Sequence, residues 1–338
     1  MPEDHLSSET SLSVEITSTG IKASAKSRAI AAVERLLGNV ADLGNAWIEG
    51  ATTRKRAKNE GERQLIEAAA KYGVERMGYD EELAKRAFEN HFKKVAQAQV
   101  NKDAVAHAAI QDLRRHNPTD EETNSGPDEV SEEFMARFEG YAEGATTEQL
   151  RERWGRILAG EIRKPGTFSP KVMRTTDELD AATAELFEEL VPFRLVDCIV
   201  KCIMPRELDF EQSLRLVSAG LLVEPGLAGH QRLFASGQSN TGQKKVWIHT
   251  FGKFAVGFAQ DTKADFDQKI LVDNDGKPST PVYVLTDVGR ALSSILPSNE
   301  ENAGFEYAKK LASVLPQGSV MTWLVLPDGS LRPSPIKF

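Results

Sequence analysis

Cysteine is nearly missing from this chain, with two in 338 residues, Cys198 and Cys202. Two thiols four residues apart build no disulfide framework, and their spacing is not the CxxC of a redox or zinc centre. They read as a pair of buried thiols in a reducing compartment. Long apolar runs are missing as well; no stretch of about eighteen such residues exists, which excludes a spanning helix. The opening MPEDHLSSETSLSVEITSTG is polar and acidic and lacks the apolar centre of a signal peptide, so the expected location is the cytoplasm. Basic charge is in deficit, 42 Lys and Arg against 50 Asp and Glu, for a net charge of −8. That balance excludes a protein that binds nucleic acid over its whole surface and leaves only local basic patches to consider. The six histidines are scattered, without HxxxH, HExxH or HxH, so no metal ligand is assigned. GxGxxG, GxxxxGK[ST] and GxSxG are all missing, and no cofactor and no catalytic residue is expected.

What is present is helical periodicity followed by alternation. Residues 1–20 read as a flexible tail with one short strand at SVEIT. Ile30, Val33, Leu37, Val40, Trp47 and Ile48 recur at three- and four-residue steps and define one apolar stripe, interrupted by Gly38, Gly44 and Gly50. The basic run Arg54, Lys55, Arg56 and Lys58 follows, then a mixed-charge helical region to about His116. This N-terminal helical region spans 21–116. Residues 117–133 carry seven acids and no base, with Pro, Gly, Ser and Asn among them; an exposed acidic linker is placed at 117–129. A central helical domain is assigned to 130–190. Phe134, Phe138 and Tyr141 share a helix face there, and Thr146 with Gln149 resembles a capping box ahead of a helix over 147–163.

That helix, in the stretch ERWGRILAGEIRKPGTFSP, carries the densest pattern. Leu150, Trp154, Ile157, Leu158 and Ile162 form an apolar face with Glu161 at its margin. Arg163 and Lys164 occupy the last turn, where cations favour the helix dipole. Pro165-Gly166 stops the helix, and Ser169-Pro170 supplies an N-cap and a proline at N1 for the next. A buried Glu161 would have a raised pKa and the makings of a general acid or base. No His, Cys or second acid stands at a supporting spacing, so a structural ion pair or cap is favoured.

Phe134 to Phe138, the Leu150–Trp154–Leu158–Glu161 helix, the Pro-Gly-x-x-Ser linker with Pro165 and Ser169, and the following DAATAELFEEL resemble an uncharacterised bacterial family catalogued as a domain of unknown function. QAQVNKDAVAHAA, around Gln99 and Asn101, resembles the helix that precedes this segment in the family. The chain departs from the pattern at Phe134, where the family often has Trp, and at VMRTTDEL, where it has a leucine-rich turn. The resemblance spans roughly 20–325 with its specific part near 130–190. It implies no catalytic residues, and helical families of similar layout are suspected of bacteriophage defence.

Beyond 190 the period changes. FRLVDCIVKCIM reads as an apolar helix and DFEQSLRLVSAGLLVEP as a helix stopped by Gly220 with a short strand after it. KKVWIHT and GKFAVGF alternate as strands. VYVLTDVGRALSSIL is a strand entering a helix capped by Thr286 or Asp287. The helix FEYAKKLASVL and a hairpin, VMTWLVL-PDGS-LRPSP, close the chain. Residues 191–297 resemble a winged helix, with SGQSNTG at 236–242 as a wing loop, and 298–338 form a small α/β tail. In the candidate recognition helix, 206–218, Arg206 and Arg215 stand against Glu207, Asp209 and Glu211, and residues 190–293 hold twelve bases and eleven acids. No strong drive to DNA follows from that balance, and protein contact is favoured.

The sequence is therefore expected to fold as α+β, predominantly α-helical. Its expected role is a non-catalytic bacterial interaction or effector protein, in a setting such as anti-phage defence. Trp47 with Arg54, Lys55, Arg56 and Lys58 would meet a membrane surface or a partner, and the C-terminal part would recognise a protein. A nucleic-acid-binding regulator using the winged-helix-like region is the first alternative, and a hydrolase with an unrecognised site is the second. Homo-oligomerisation stays open.

Overall fold

The computed structural model describes residues 23–37, 80–116 and 129–338, apart from 228, 239–244, 298 and 337, with scattered positions at 67–75 and 118–127. The expected strand at SVEIT, the tail, Trp47, the basic run at Arg54, Lys55, Arg56 and Lys58, and most of the wing loop lie outside the described residues. The chain is a mixed α+β protein with a helical bias. It forms two compact units, Met1–Met173 and Arg174–Phe338.

Among the described residues, the first unit is carried by α1 (Ala23–Leu37), α2 (Glu81–Arg115), α3 (Glu132–Gly144) and α4 (Glu148–Arg163). Asp80 starts α2 by accepting the Leu83 N–H at 3.0 Å, and Arg114 and Arg115 end it in the favourable sense of the dipole. Ser131 caps α3 through the Phe134 N–H at 3.2 Å. The cap of α4 is Thr147, whose Oγ1 accepts the Leu150 N–H, one residue beyond the expected Thr146. Thr146 instead donates its own N–H to the Gly144 carbonyl and closes the preceding turn.

The long helix α2 packs against α1, α3 and α4. Its approach to α4 is set by Gly155, where a Cβ would lie 2.5 Å from the Ala108 Cβ and 3.0 Å from the Ala108 carbonyl carbon. Only glycine fits such a crossing. Of the stripe expected in the N-terminal region, Val33 is buried in α1 beside Ala29, Ala32 and Leu36 and Ile30 is half-buried, whereas the side chain of Leu37 and residues Val40, Trp47 and Ile48 lie outside the described residues.

Helix α5 (Pro170–Glu178) contains the boundary after Met173 and leads to α6 (Ala181–Leu190) of the second unit. The stretch FRLVDCIVKCIM is not the expected helix. It forms a 3₁₀ turn (Val191–Phe193), β1 (Arg194–Leu195), β2 (Cys198–Val200) and a second 3₁₀ turn (Lys201–Ile203). Val196 has φ of 56°, which no right-handed helix holds, and β2 instead satisfies its backbone by pairing with β8 from Cys198↔Val284 to Val200↔Val282. Short, fully buried strands carry no alternation, and their apolar run mimics a helix. Cys198 and Cys202 thus sit on a strand and a turn, and burial pushes both thiols up to about 12.

The remaining elements are α7 (Phe210–Ser218), β3 (His230–Leu233), β4 (Ala235–Gln238), β5 (Lys245–Phe251), β6 (Phe254–Ala259), β7 (Val272–Asn274), β8 (Lys277–Val284), α8 (Asp287–Ser293), α9 (Glu300–Ala312), β9 (Val320–Val325) and β10 (Leu331–Pro333). They make two antiparallel sheets, one ordered β1-β2-β8-β3 with β7 also on β8, the other β10-β9-β6-β5-β4. The expected hairpin is the β9–β10 pair, and Thr286 is the cap of α8, accepting the Gly289 N–H at 3.0 Å. Helix α9 covers the second sheet, burying Tyr307, Ala308 and Leu311 with Phe251, Phe254 and Val256.

At the centre of this core the His249 ring of β5 stacks on Phe234 at 3.8 Å. Its Nε2 is 3.1 Å from Thr280 Oγ1 of β8, and that hydroxyl also bonds the Tyr307 hydroxyl of α9. Two sheets and a helix are thereby joined through buried polar groups that satisfy one another.

Burial, with Arg232 adding to it, lowers the His249 pKa to about 3. Its folded value lies below its unfolded one, so the stability it contributes is present above about pH 6.5 and is lost as pH falls toward 3. Denaturant midpoints taken from pH 7 to 5 should fall for wild type with a slope of up to about 1.4 kcal/mol per pH unit from this group. His249→Phe should lack that component, and equal slopes would contradict the assignment. Gly155→Ala should destabilise the first unit by about 1–3 kcal/mol through overpacking, read by urea unfolding; an unchanged midpoint would show that the helices can part at no cost.

Candidate functional site

Two places gather polar side chains in numbers beyond what a solvated surface requires. The first surrounds the end of α4. Trp154 is 1% exposed and lies in an aromatic cradle from α3: Tyr141 stacks on it at 4.6 Å and Phe138 meets it edge-on at 5.9 Å, with Phe134 stacked on Phe138. Leu158 is fully buried on the same helix. The α3–α4 connection is held by Asn101 of α2, which donates to the Glu143 carbonyl at 2.7 Å and accepts from Arg151 Nη2 at 2.7 Å. Arg151 Nε in turn reaches the Ala145 carbonyl. Gln99, two residues before Asn101 on α2, donates to the Leu36 carbonyl at the end of α1.

Glu161 is buried, and both carboxylate oxygens face backbone. Oε1 accepts the Gly166 N–H at 2.6 Å and Oε2 the Phe168 N–H at 2.9 Å. Burial raises its pKa, and the N–H groups of Gly166, Phe168 and Thr167 oppose that rise. The turn it holds is the expected stop: Gly166 has φ of 86°, Pro165 is half-buried beside it, and Ser169 caps α5 through the Val172 N–H at 3.4 Å. Arg28 of α1, buried, donates to the carbonyls of Ile162 at 3.3 Å and Arg163 at 3.4 Å. Arg163 is paired with Asp112 of α2 at 2.6 Å. Of the expected motif residues, Phe134, Phe138 and Trp154 pack as one aromatic group. Glu161, in the last turn of α4, holds the turn that contains Pro165 and leads to Ser169, and the polar contacts of Glu161 and Ser169 go to backbone. Leu158 lies on α4 between Trp154 and Glu161.

The second place lies between α6 and α7. Asp180 caps α6, accepting the Thr183 N–H at 2.9 Å and its hydroxyl at 2.7 Å. Those two bonds, with the attraction of Arg215, hold the Asp180 carboxyl below its ordinary value. The helix buries Thr183, Phe187 and Leu190 and turns Glu185, Glu188 and Glu189 outward. A reciprocal capping box starts α7, with the Gln212 N–H on Asp209 at 2.8 Å and the Asp209 N–H on Gln212 at 3.2 Å. Gly220 (φ 71°) ends it. The Gly220 N–H bonds the Val217 carbonyl and the Leu221 N–H the Leu216 carbonyl, which is the Schellman pattern.

An open cleft of about 380 Å³ separates the two helices. Glu185, Leu186 and Glu189 line it from one side, and Arg206, Asp209 and Arg215 from the other, with Glu211 and Gln212 completing that wall. Beside it, α7 leaves Phe210 84% exposed and Leu214 52% exposed, one helical turn apart, while Leu216 alone in this helix is fully buried. Arg215 is engaged by Glu211 at 3.6 Å.

Residues 85–196 match the model of a family described as a protein of unknown function, DUF2806. That bears out the resemblance to a domain of unknown function over its specific part. No curated protein and no solved structure matches the chain. The matched segment runs from α2 through α6 to Val196, so it contains the whole Trp154–Glu161 motif and one wall of the cleft, whereas α7 lies beyond it. Among the described residues no helix is long and apolar enough to cross a membrane.

The Gln99, Asn101 and Arg28 contacts and the α6–α7 cleft join segments far apart in sequence and have no local signal. The outward-facing acids of α6 were readable from its period, and the charges of α7 were singled out from sequence; their meeting was not.

Glu161→Gln should cost about 1–3 kcal/mol, because an amide accepts from one of the two N–H groups and turns its own donor toward the other. Urea unfolding of the whole chain reads this, and an unchanged midpoint would separate the carboxylate from the turn.

Proposed function

We propose that this is a non-catalytic interaction protein whose C-terminal unit recognises a protein partner across the α6–α7 face. The observation that carries the reading is the exposure of Phe210 and Leu214 on a nine-residue helix capped at both ends. Two large apolar side chains a turn apart beside a cleft match the anchors that helix-mediated contacts use. In this reading α6, β2, α7, β3 and β8, of which β2, β8 and β3 are neighbours in one sheet, would be the winged-helix-like elements, with α7 as the recognition helix. Its Asp209 and Glu211 oppose phosphate, which favours protein over nucleic acid as partner.

The helical first unit serves as scaffold in this reading, and Trp47, Arg54, Lys55, Arg56 and Lys58 remain its proposed contact with a membrane surface or a second partner. The setting is a cytoplasmic bacterial effector of the kind suspected in bacteriophage defence, as the family resemblance suggests.

The double variant Phe210→Ser, Leu214→Ser tests the reading. Stability should change by no more than about 0.5 kcal/mol, as for surface substitutions, whereas affinity capture from the native host should lose proteins that wild type retains. An identical capture profile would overturn the proposal, and a loss of about 2–5 kcal/mol would show the two side chains to be core.

A further inference from the structure

The surroundings of the cleft carry a charge pattern that selects among protein partners. From residue 175 to residue 193 the chain has six acids, Asp177, Glu178, Asp180, Glu185, Glu188 and Glu189, and no Lys or Arg. All six are exposed. Within the cleft, four acids face two arginines. Arg215 is already drawn to Glu211 and Asp180, so acids outnumber free bases in the cleft, and Phe210 and Leu214 are exposed on the same short helix as its lining residues Glu211, Gln212 and Arg215.

Resting on the protein-recognition reading above, we infer that the α6–α7 cleft accepts a cationic amphipathic segment, a Lys- or Arg-bearing helix that lays its apolar residues on Phe210 and Leu214. A cationic segment gains from Glu185 and Glu189 on the α6 wall, whereas on the other wall Asp209 and Glu211 are matched by Arg206 and Arg215, so the α6 acids set the preference. An acidic one meets repulsion from Glu185 and Glu189, which makes the preference a matter of rejection as well as attraction. An anionic lipid surface or a nucleic acid is turned away by the same acids. The charges are exposed, so the attraction is screened over about 8 Å at physiological salt and acts only at contact. Specificity therefore rests on the apolar pair and the acids together.

The test uses the full chain and three labelled peptides of sixteen residues: an amphipathic helix of Leu and Lys, the same helix with Glu for Lys, and a scrambled Leu–Lys sequence without an apolar stripe. Fluorescence anisotropy should show the Leu–Lys helix binding, with affinity falling as NaCl rises from 50 to 300 mM, and at least ten-fold weaker binding of the other two. Glu185→Gln with Glu189→Gln should weaken the Leu–Lys helix by about 3- to 10-fold, the scale of two exposed charge contacts. Glu132→Gln with Glu148→Gln, exposed acids of the first unit that remove the same charge, should leave it unchanged. No binding of the Leu–Lys helix, equal binding of the Glu helix, or equal loss in the two variant pairs overturns the inference. If in those cases Phe210→Ser, Leu214→Ser still loses captured host proteins, protein recognition stands and only the partner's charge was misassigned.

Discussion

The first unit depends on how closely α2 and α4 approach. With Gly155 against Ala108, the helices meet nearly backbone to backbone, and the remaining faces of α4 are fixed by that contact. Trp154, the preceding residue, points to α3 and is enclosed by Phe138 and Tyr141. At the far end, Glu161, Arg163 and Arg28 close the helix against its own following turn, against α2 and against α1. Buried charge is costly unless each group finds a partner, and here the partners come from three other segments. The side chains that gave this stretch the look of an active site are occupied in holding helices together.

The second unit presents a different economy of polar groups. Its core places a neutral histidine against an aromatic ring and the Thr280 hydroxyl, which in turn bonds the Tyr307 hydroxyl, so that the two sheets and α9 are joined. On its surface, α7 is capped at its start by Asp209 and Gln212 and at its end by Gly220, so little of its stability has to come from its outer face. Phe210 and Leu214 can then remain exposed without unravelling it. A short helix with both ends secured and an apolar outer face is suited to contact.

Much of this was legible locally. The stop at Pro165-Gly166, the restart at Ser169-Pro170, the end of α7 at Gly220, the strands β5 and β6 and the final hairpin each rest on residues within a few positions of one another. FRLVDCIVKCIM was misread because Leu195, Cys198, Ile199 and Cys202 fall at helical steps, while the features that decide the matter are the backbone of Val196 and the partner strand β8, some eighty residues on. Separation in sequence likewise hid Arg28, 134 residues before Ile162, and the strands β1 and β2 stand between α6 and α7, whose meeting has no local signal. Sequence period reports which face of an element is buried, and it does not report against what. The Glu161 carboxylate illustrates the gain from structure: from sequence alone it was a general acid or a cap, and its two oxygens on the Gly166 and Phe168 N–H groups make it a cap.

The proposed recognition lies on the outer face of α7, with the Trp154 helix as architecture. A photo-crosslinking amino acid placed at Leu214 of the full chain in its native host, with the same group at Glu132 on α3 for comparison, addresses it directly. The account requires discrete crosslinked protein products at Leu214 that are missing at Glu132. Products of the same kind at both positions, or at Glu132 alone, would contradict it.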